Sequence, residues 1–93
     1  MAFGWGIIST GLHPENKIAP AINATPGARL VAVYSRDKEQ GQSFAEKHGA
    51  LSAYDSMDEL LQDNRVDGVF LCSPNSMHAQ HGIRAANSGK HVL

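Results

Sequence analysis

Short apolar runs alternate along the chain with stretches whose apolar residues recur at helical spacing. Phe3-Gly4-Trp5-Gly6-Ile7-Ile8 is the first run, and it leads into a small-residue turn, Ser9-Thr10-Gly11. A helix is predicted next, with Ile18, Ala21, Ile22 and Thr25 on one face and Pro26-Gly27 as its stop. Leu30-Val31-Ala32-Val33-Tyr34 reads as a parallel strand covered on both faces. The second helix opens on an Asp37/Gln40 capping box, lines Gly41, Phe44, Ala45 and His48 on one face, and ends at Gly49. Leu51-Ser52-Ala53-Tyr54 is a weak strand suited to a sheet edge. Ser56 and Glu59 cap a short helix carrying Met57, Leu60 and Leu61. Val69-Phe70-Leu71-Cys72 is a strong fourth strand, ended by Ser73-Pro74-Asn75. A fourth helix then carries Ala79, Ile83 and Ala86 and stops at Gly89, and Lys90-His91-Val92-Leu93 begins a fifth strand.

Strict alternation of strand and helix with short connections predicts an α/β domain: a parallel sheet with right-handed crossovers. The expected class is a doubly wound (Rossmann) sheet over residues 1–93 with strand order 3-2-1-4-5, incomplete after the fifth strand. Ligand is then expected at the carboxyl ends of strands one and four, where the order reverses. A turn that joins a strand to a helix N-terminus gathers backbone N–H groups and the positive end of the helix dipole, which suits a pyrophosphate.

Composition narrows the possibilities. Eight Lys plus Arg against nine Asp plus Glu give a net charge of −1, which offers no attraction for nucleic acid or an anionic membrane. No apolar run reaches the length of a membrane span, and no leader peptide is expected. One cysteine, Cys72, excludes an internal disulfide and a cysteine-rich zinc site, so a reducing cytoplasm is the expected setting.

The first turn keeps only part of the Gly-x-Gly-x-x-Gly dinucleotide fingerprint. Gly11 occupies the middle position, Ser9 replaces the first glycine, and Leu12 to Lys17 lengthen the turn before the helix. That motif alone also fits a glycine-containing turn without a ligand. At the end of strand two, where an acid would hold a ribose 2′-hydroxyl, Ser35 and Arg36 stand instead and Asp37 serves as a helix cap. A hydroxyl and a guanidinium suit a 2′-phosphate, favouring NADP(H) over NAD(H). His78 and His81 share a helix at i, i+3 but lack a carboxylate or cysteine one turn away, which weakens a metal site. Cys72 has no neighbouring base, and Ser9 and Ser73 lack the setting of a hydrolase nucleophile.

Several motifs fall in one order: Gly-Ile-Ile-x-Thr-Gly at Gly6 to Gly11, then Ser35-Arg36-Asp37, then Tyr54-Asp55-Ser56 before a Leu-Leu helix. Ser-Pro-Asn-x-x-His at Ser73 to His78 and Gly-Lys-His-Val-Leu at Gly89 to Leu93 follow. In these the chain resembles the N-terminal domain of the glucose–fructose oxidoreductase, inositol dehydrogenase and rhizopine-catabolism (Gfo/Idh/MocA) oxidoreductases. The resemblance implies an NAD(P)-dependent dehydrogenase or reductase acting on a sugar, cyclitol or related carbonyl compound. It implies that Ser9, Thr10 and Gly11 approach the pyrophosphate and that Ser35 and Arg36 face the adenosine end. Ser73, Pro74, Asn75 and His78 would form the wall near the nicotinamide ribose. A catalytic Glu-Lys-Pro motif is expected after Leu93, and a substrate domain beyond it. These 93 residues alone are therefore expected to bind cofactor without turning over substrate. Apolar surface near strand five is expected to favour homo-oligomerisation or a partner. The alternative to an enzyme is a non-catalytic NADP(H)-binding regulatory module, with an S-adenosylmethionine site as a weaker third reading.

Overall fold

Five strands make one parallel sheet among the described residues: β1 (Phe3–Ile8), β2 (Ala28–Tyr34), β3 (Ser52–Tyr54), β4 (Gly68–Leu71) and β5 (His91–Val92), in the order β3-β2-β1-β4-β5. The computed structural model describes residues 2–9, 17–72 and 75–93, with backbone alone over 75–79. Four helices connect the strands: α1 (Ala19–Ala24), α2 (Lys38–His48), α3 (Met57–Leu61) and α4 (Asn75–Asn87). The expected topology is the one observed.

The two faces hold separate cores. Ile7, Leu30 and Val33 pack with Ala19 and Ile22 of α1 and with Phe44 and Ala45 of α2. Ile8, Val31, Val66 and Val69 pack on the other face with Met57, Leu60 and Leu61 of α3 and with Ala85 of α4. Ile7 and Ile8 of β1 thus serve opposite faces, while a register shift opposite Trp5 and Gly6 turns both Val31 and Ala32 of β2 to one core, between Leu30 and Val33 in the other.

Local chemistry sets the helix ends as expected. The Asp37 carboxylate accepts the Gln40 N–H at 3.1 Å, and Gly49 closes α2 at φ 78°. The Ser56 hydroxyl accepts the Glu59 N–H at 3.4 Å at the start of α3. Two helix faces differ from expectation. In α1 the buried pair is Ala19 and Ile22, whereas Ala21 and Thr25 are exposed. Thr25 has already left the helix in an extended conformation, and its hydroxyl donates to the Ala21 carbonyl. In α4, His81 and Ala85 face the sheet, while Ile83 is 62% exposed and Ala86 is exposed. A stripe of two alanines and one isoleucine offers little area to bury, so packing of Ala85 in the core of Val69 and Val92 decides the rotation. Strand four also ends one residue early, at Leu71, although the Cys72 N–H still donates to the Ile8 carbonyl at 3.0 Å.

The amino-terminal rim is locked by polar groups. The Asp67 carboxylate accepts the Gly4 N–H at 2.7 Å, and the Asp67 N–H donates to the Gly4 carbonyl at 2.7 Å. Arg65 grips Asp63 through Nε at 3.0 Å and Nη2 at 2.7 Å, and Nη2 also reaches the Ser52 hydroxyl at 2.8 Å. The Tyr54 hydroxyl donates to Asp63 at 2.8 Å. Lys90 Nζ donates to the carbonyls of Asp63 and Val66 at 3.0 and 2.6 Å. The side-chain hydrogen bonds from Arg65 hold the Asp63 carboxyl well below the usual carboxylate range, against the opposing effect of its burial.

Two outcomes follow from this rim. A Cβ on Gly4 would overlap the Arg65 carbonyl oxygen, which is backbone and cannot yield. Gly4→Ala should cost about 3 kcal/mol or more, read as a lowered denaturant midpoint. Asp63 has a folded pKa below its unfolded value, so its contribution is complete above about pH 4 and is lost as pH falls below that. Asp63→Asn should lower stability at neutral pH and flatten the acid limb of a stability–pH curve; an unchanged acid limb would count against the assignment.

Candidate functional site

The strand order reverses between β1 and β4, and three chain segments leave the sheet together there. Ile8 is paired with Tyr34 on one side and Leu71 on the other. Ser9, Ser35 and Cys72 are therefore the first residues beyond the carboxyl rim on adjacent strands. A cleft is left at such a reversal because successive connections depart toward opposite faces. Helix α4 begins at Asn75, three residues beyond Cys72, so its first turn opens near this rim.

Ser9 has φ 86°, and it is the one non-glycine with positive φ among the described residues. Gly27, Gly49 and Gly89 hold φ of 83°, 78° and 82°. Ser9 thus takes a glycine conformation with a Cβ attached, as its place in the fingerprint requires. Its N–H donates to the Tyr34 carbonyl at 2.8 Å and extends the β1–β2 ladder. A hydrogen bond donated by Ser9 to a ligand would then come from the hydroxyl, because the N–H is already used.

Ser35 is buried, with 4% exposure. Its hydroxyl accepts the Asp37 N–H at 3.2 Å, and its Cβ lies where a Cβ on Gly41 would come within 3.2 Å. Ser35 therefore shapes the turn into α2 and lets that helix approach closely. Arg36 is exposed beside it. The Asp37 carboxylate caps α2 through Oδ1, which directs one of its oxygens to the helix N-terminus. Arg36 and Asp37 are both exposed there, and Arg36 is the one that presents positive charge.

Thr10, Gly11, Ser73 and Pro74 lie outside the described residues, as does the turn extension through Asn16. Asn75 and His78 are placed by backbone alone, in the first turn of α4. The sequence-predicted residues that the structure does bring to one rim are Ser9, Ser35 and Arg36, with Asn75 and His78 at the opening of α4.

Two further groups bear on chemistry. Burial pushes the Cys72 thiol up to about 11, so it is a thiol and not a thiolate at neutral pH. His81 is buried, with 6% exposure, and meets the Tyr34 ring edge-on at 6.5 Å between centroids. The pair sits under the rim and went unnoticed in the sequence, where His81 was weighed only as a metal ligand. Among the described residues no cluster of three His, Cys, Asp or Glu could hold a metal. No described helix is long and apolar enough to cross a membrane.

Residues 3–93 match the sequence profile of the "Oxidoreductase family, NAD-binding Rossmann fold". An uncharacterized oxidoreductase, ORF334, of Rhizobium meliloti is 37% identical over 89 residues, which cover 96% of this chain and 27% of that protein. The scyllo-inositol 2-dehydrogenase (NADP(+)) IolU of Bacillus subtilis is 40% identical over 65 residues, covering 70% of this chain and 20% of that protein. The crystal structure of KijD10, a 3-ketoreductase from Actinomadura kijaniata, with NADP superimposes with a TM-score of 0.95 at 29% identity. It covers all of this chain and 29% of its own. The chain thus spans about a quarter of the length of such relatives.

Relief of the Ser9 strain is measurable. Ser9→Gly should leave stability unchanged or raise it by up to about 1 kcal/mol, because lost strain outweighs added chain entropy. Ser9→Val should lower it by about 1–2 kcal/mol, since a β-branched residue tolerates positive φ poorly. Equal thermal midpoints for the two variants would contradict the assigned conformation.

Proposed function

The chain belongs to the oxidoreductase family of the NAD-binding Rossmann fold, and from that membership we propose that it is the cofactor-binding domain of an NADP(H)-dependent dehydrogenase or reductase. The substrate class is a sugar, cyclitol or related carbonyl compound. The observation that carries the cofactor choice is at the end of β2: Arg36 is exposed while the adjacent carboxylate, Asp37, is bound into a helix cap. Arg36 stands where an acid would grip ribose hydroxyls, and its guanidinium suits a 2′-phosphate. Relatives support the same choice, since IolU is named for NADP(+) and KijD10 was crystallised with NADP.

The dinucleotide lies across the carboxyl rim in this reading. Its diphosphate meets the turn at Ser9, Thr10 and Gly11, with the Ser9 hydroxyl as donor and the backbone of Thr10 and Gly11 at close approach. Arg36 holds the adenosine end, with Ser35 setting the turn that presents it. Ser73, Pro74, Asn75 and His78 wall the nicotinamide ribose. When bound, the nicotinamide supplies or accepts a hydride. The residues of this chain orient that ring, and the proton donor and substrate pocket come from the rest of a longer protein. Half-buried Tyr34 and buried His81 act as a brace below the adenosine and nicotinamide sides of the rim.

The test is a titration of the protein with NADPH and with NADH, comparing wild type with Arg36→Ala. Loss of one charge-assisted phosphate contact should weaken NADPH binding by about 10- to 100-fold. NADH binding should change by less than about 2-fold, because its ribose presents hydroxyls to that position. Equal weakening of both cofactors, or of neither, would overturn the assignment of Arg36. Tighter binding of S-adenosylmethionine than of either nicotinamide cofactor would overturn the function.

A further inference from the structure

Among the described residues, no helix covers the other half of the sheet face that carries α1 and α2. Phe3 and Trp5 of β1, Phe70 of β4, Cys72 just beyond it and His91 of β5 line a strip there, and by alternation from His91 so does Leu93. The Phe3 and Trp5 rings lie 4.7 Å apart, Trp5 and Phe70 4.6 Å, and Phe3 and His91 5.7 Å. Gly68 is the floor of the strip: a Cβ there would come within 2.9 Å of the Trp5 ring and 3.0 Å of the Phe3 ring. The first four side chains are half-buried, His91 is exposed and Leu93 is 65% exposed. No acid, lysine or arginine is among the six. The opposite face of the same strands is covered, with Ile8, Val69 and Val92 packed with Ala85 of α4 and with α3. A parallel sheet ordinarily has both faces covered.

Handedness says what does not cover the strip. The steps from β1 to β2 to β3 move one way and place α1 and α2 on one face. The steps from β3 to β4 to β5 move the other way and place α3 and α4 on the opposite face. A further right-handed step outward from β5 would again put its helix beside α4. Continued winding of this domain therefore leaves the strip bare. Helix α1 stands beside the strip on the same face, one helix diameter, about 10 Å, above the sheet. That step blocks a flat approach by the same face of a second copy and fits one more helix lying alongside α1.

We propose that the strip is an interdomain seat, filled by an apolar helix from a part of the protein outside the doubly wound domain. The relatives have room for such a segment, because this domain occupies 27% of ORF334 and 29% of KijD10. Leu93 carries the strip to the carboxyl end of the domain, its backbone paired with Val69 and Leu71. The seat goes beyond the cofactor reading and does not depend on it: NADPH affinity tests one, and contacts of the strip test the other.

The experiment places the photo-crosslinker p-benzoylphenylalanine at position 91, which is exposed, in the full-length gene product, and maps the adduct by mass spectrometry. An intramolecular crosslink to a helix outside the winding is expected. A crosslink within the crossover that directly follows β5, a crosslink between two copies, or no crosslink would each overturn the proposal. So would a gene product that ends at Leu93. Leu93→Glu in the same protein gives a second reading: the thermal midpoint should fall, and an unchanged midpoint, as for a solvent-facing leucine, would overturn it.

Discussion

Strand β1 is hydrogen-bonded along both edges, and the carboxyl rim exists because of that. Its two neighbours, β2 and β4, are parallel to it and come from opposite ends of the winding. The ladder does not stop at Ile8: the Ser9 N–H continues it to Tyr34, and the Cys72 N–H returns to the Ile8 carbonyl. Three turns are thereby fixed at adjacent roots before any side chain contributes. Ser9 is held at positive φ beside this pairing, so the cost of the conformation falls on the fold.

The two ends of the sheet are built from different materials. At the amino rim, side chains satisfy backbone groups: Asp67 takes the Gly4 N–H and Lys90 takes two carbonyls, while Arg65 ties Asp63 to Ser52. Each such bond removes a donor or acceptor from use elsewhere. At the carboxyl rim the described polar groups are fewer and less consumed. Arg36 is exposed, and one oxygen of the neighbouring Asp37 carboxylate is engaged by a helix N-terminus. A binding end needs unspent donors and a rigid base, and the amino rim supplies the rigidity from the far side of the same strands.

The order of elements was legible because apolar runs four to seven residues long, broken by caps and glycines, leave few alternatives once crossovers must be right-handed. Asp37, Ser56 and Gly49 act as their sequence positions suggested, since capping is a local matter of one side chain and one turn. Helix rotation was not legible for α1 and α4. Alanine-rich faces carry too little area to choose an orientation alone, so contacts from distant strands chose it, exposing Ile83 and burying His81. The candidate site was legible in its residue types at Ser9 and Arg36. The consumption of the Ser9 N–H and the burial of Ser35 depend on pairing across β1 and β2 and on the approach of Gly41, which no local pattern records.

Ser35 shows why residue type and role separate at such a rim. A serine after β2 has a hydroxyl of the right kind for a phosphate, yet here the oxygen faces the Asp37 N–H and the Cβ sits under Gly41. The oxygen accepts that N–H while the hydroxyl keeps its own proton to donate, so the bond fixes the turn that aims Arg36. Asp37 is exposed and turns one carboxylate oxygen to the Gln40 N–H. Two of three consecutive polar residues thus serve the turn, and the guanidinium between them is the outward positive charge. A specificity determinant of this kind is made as much by what its neighbours are prevented from doing as by the residue itself.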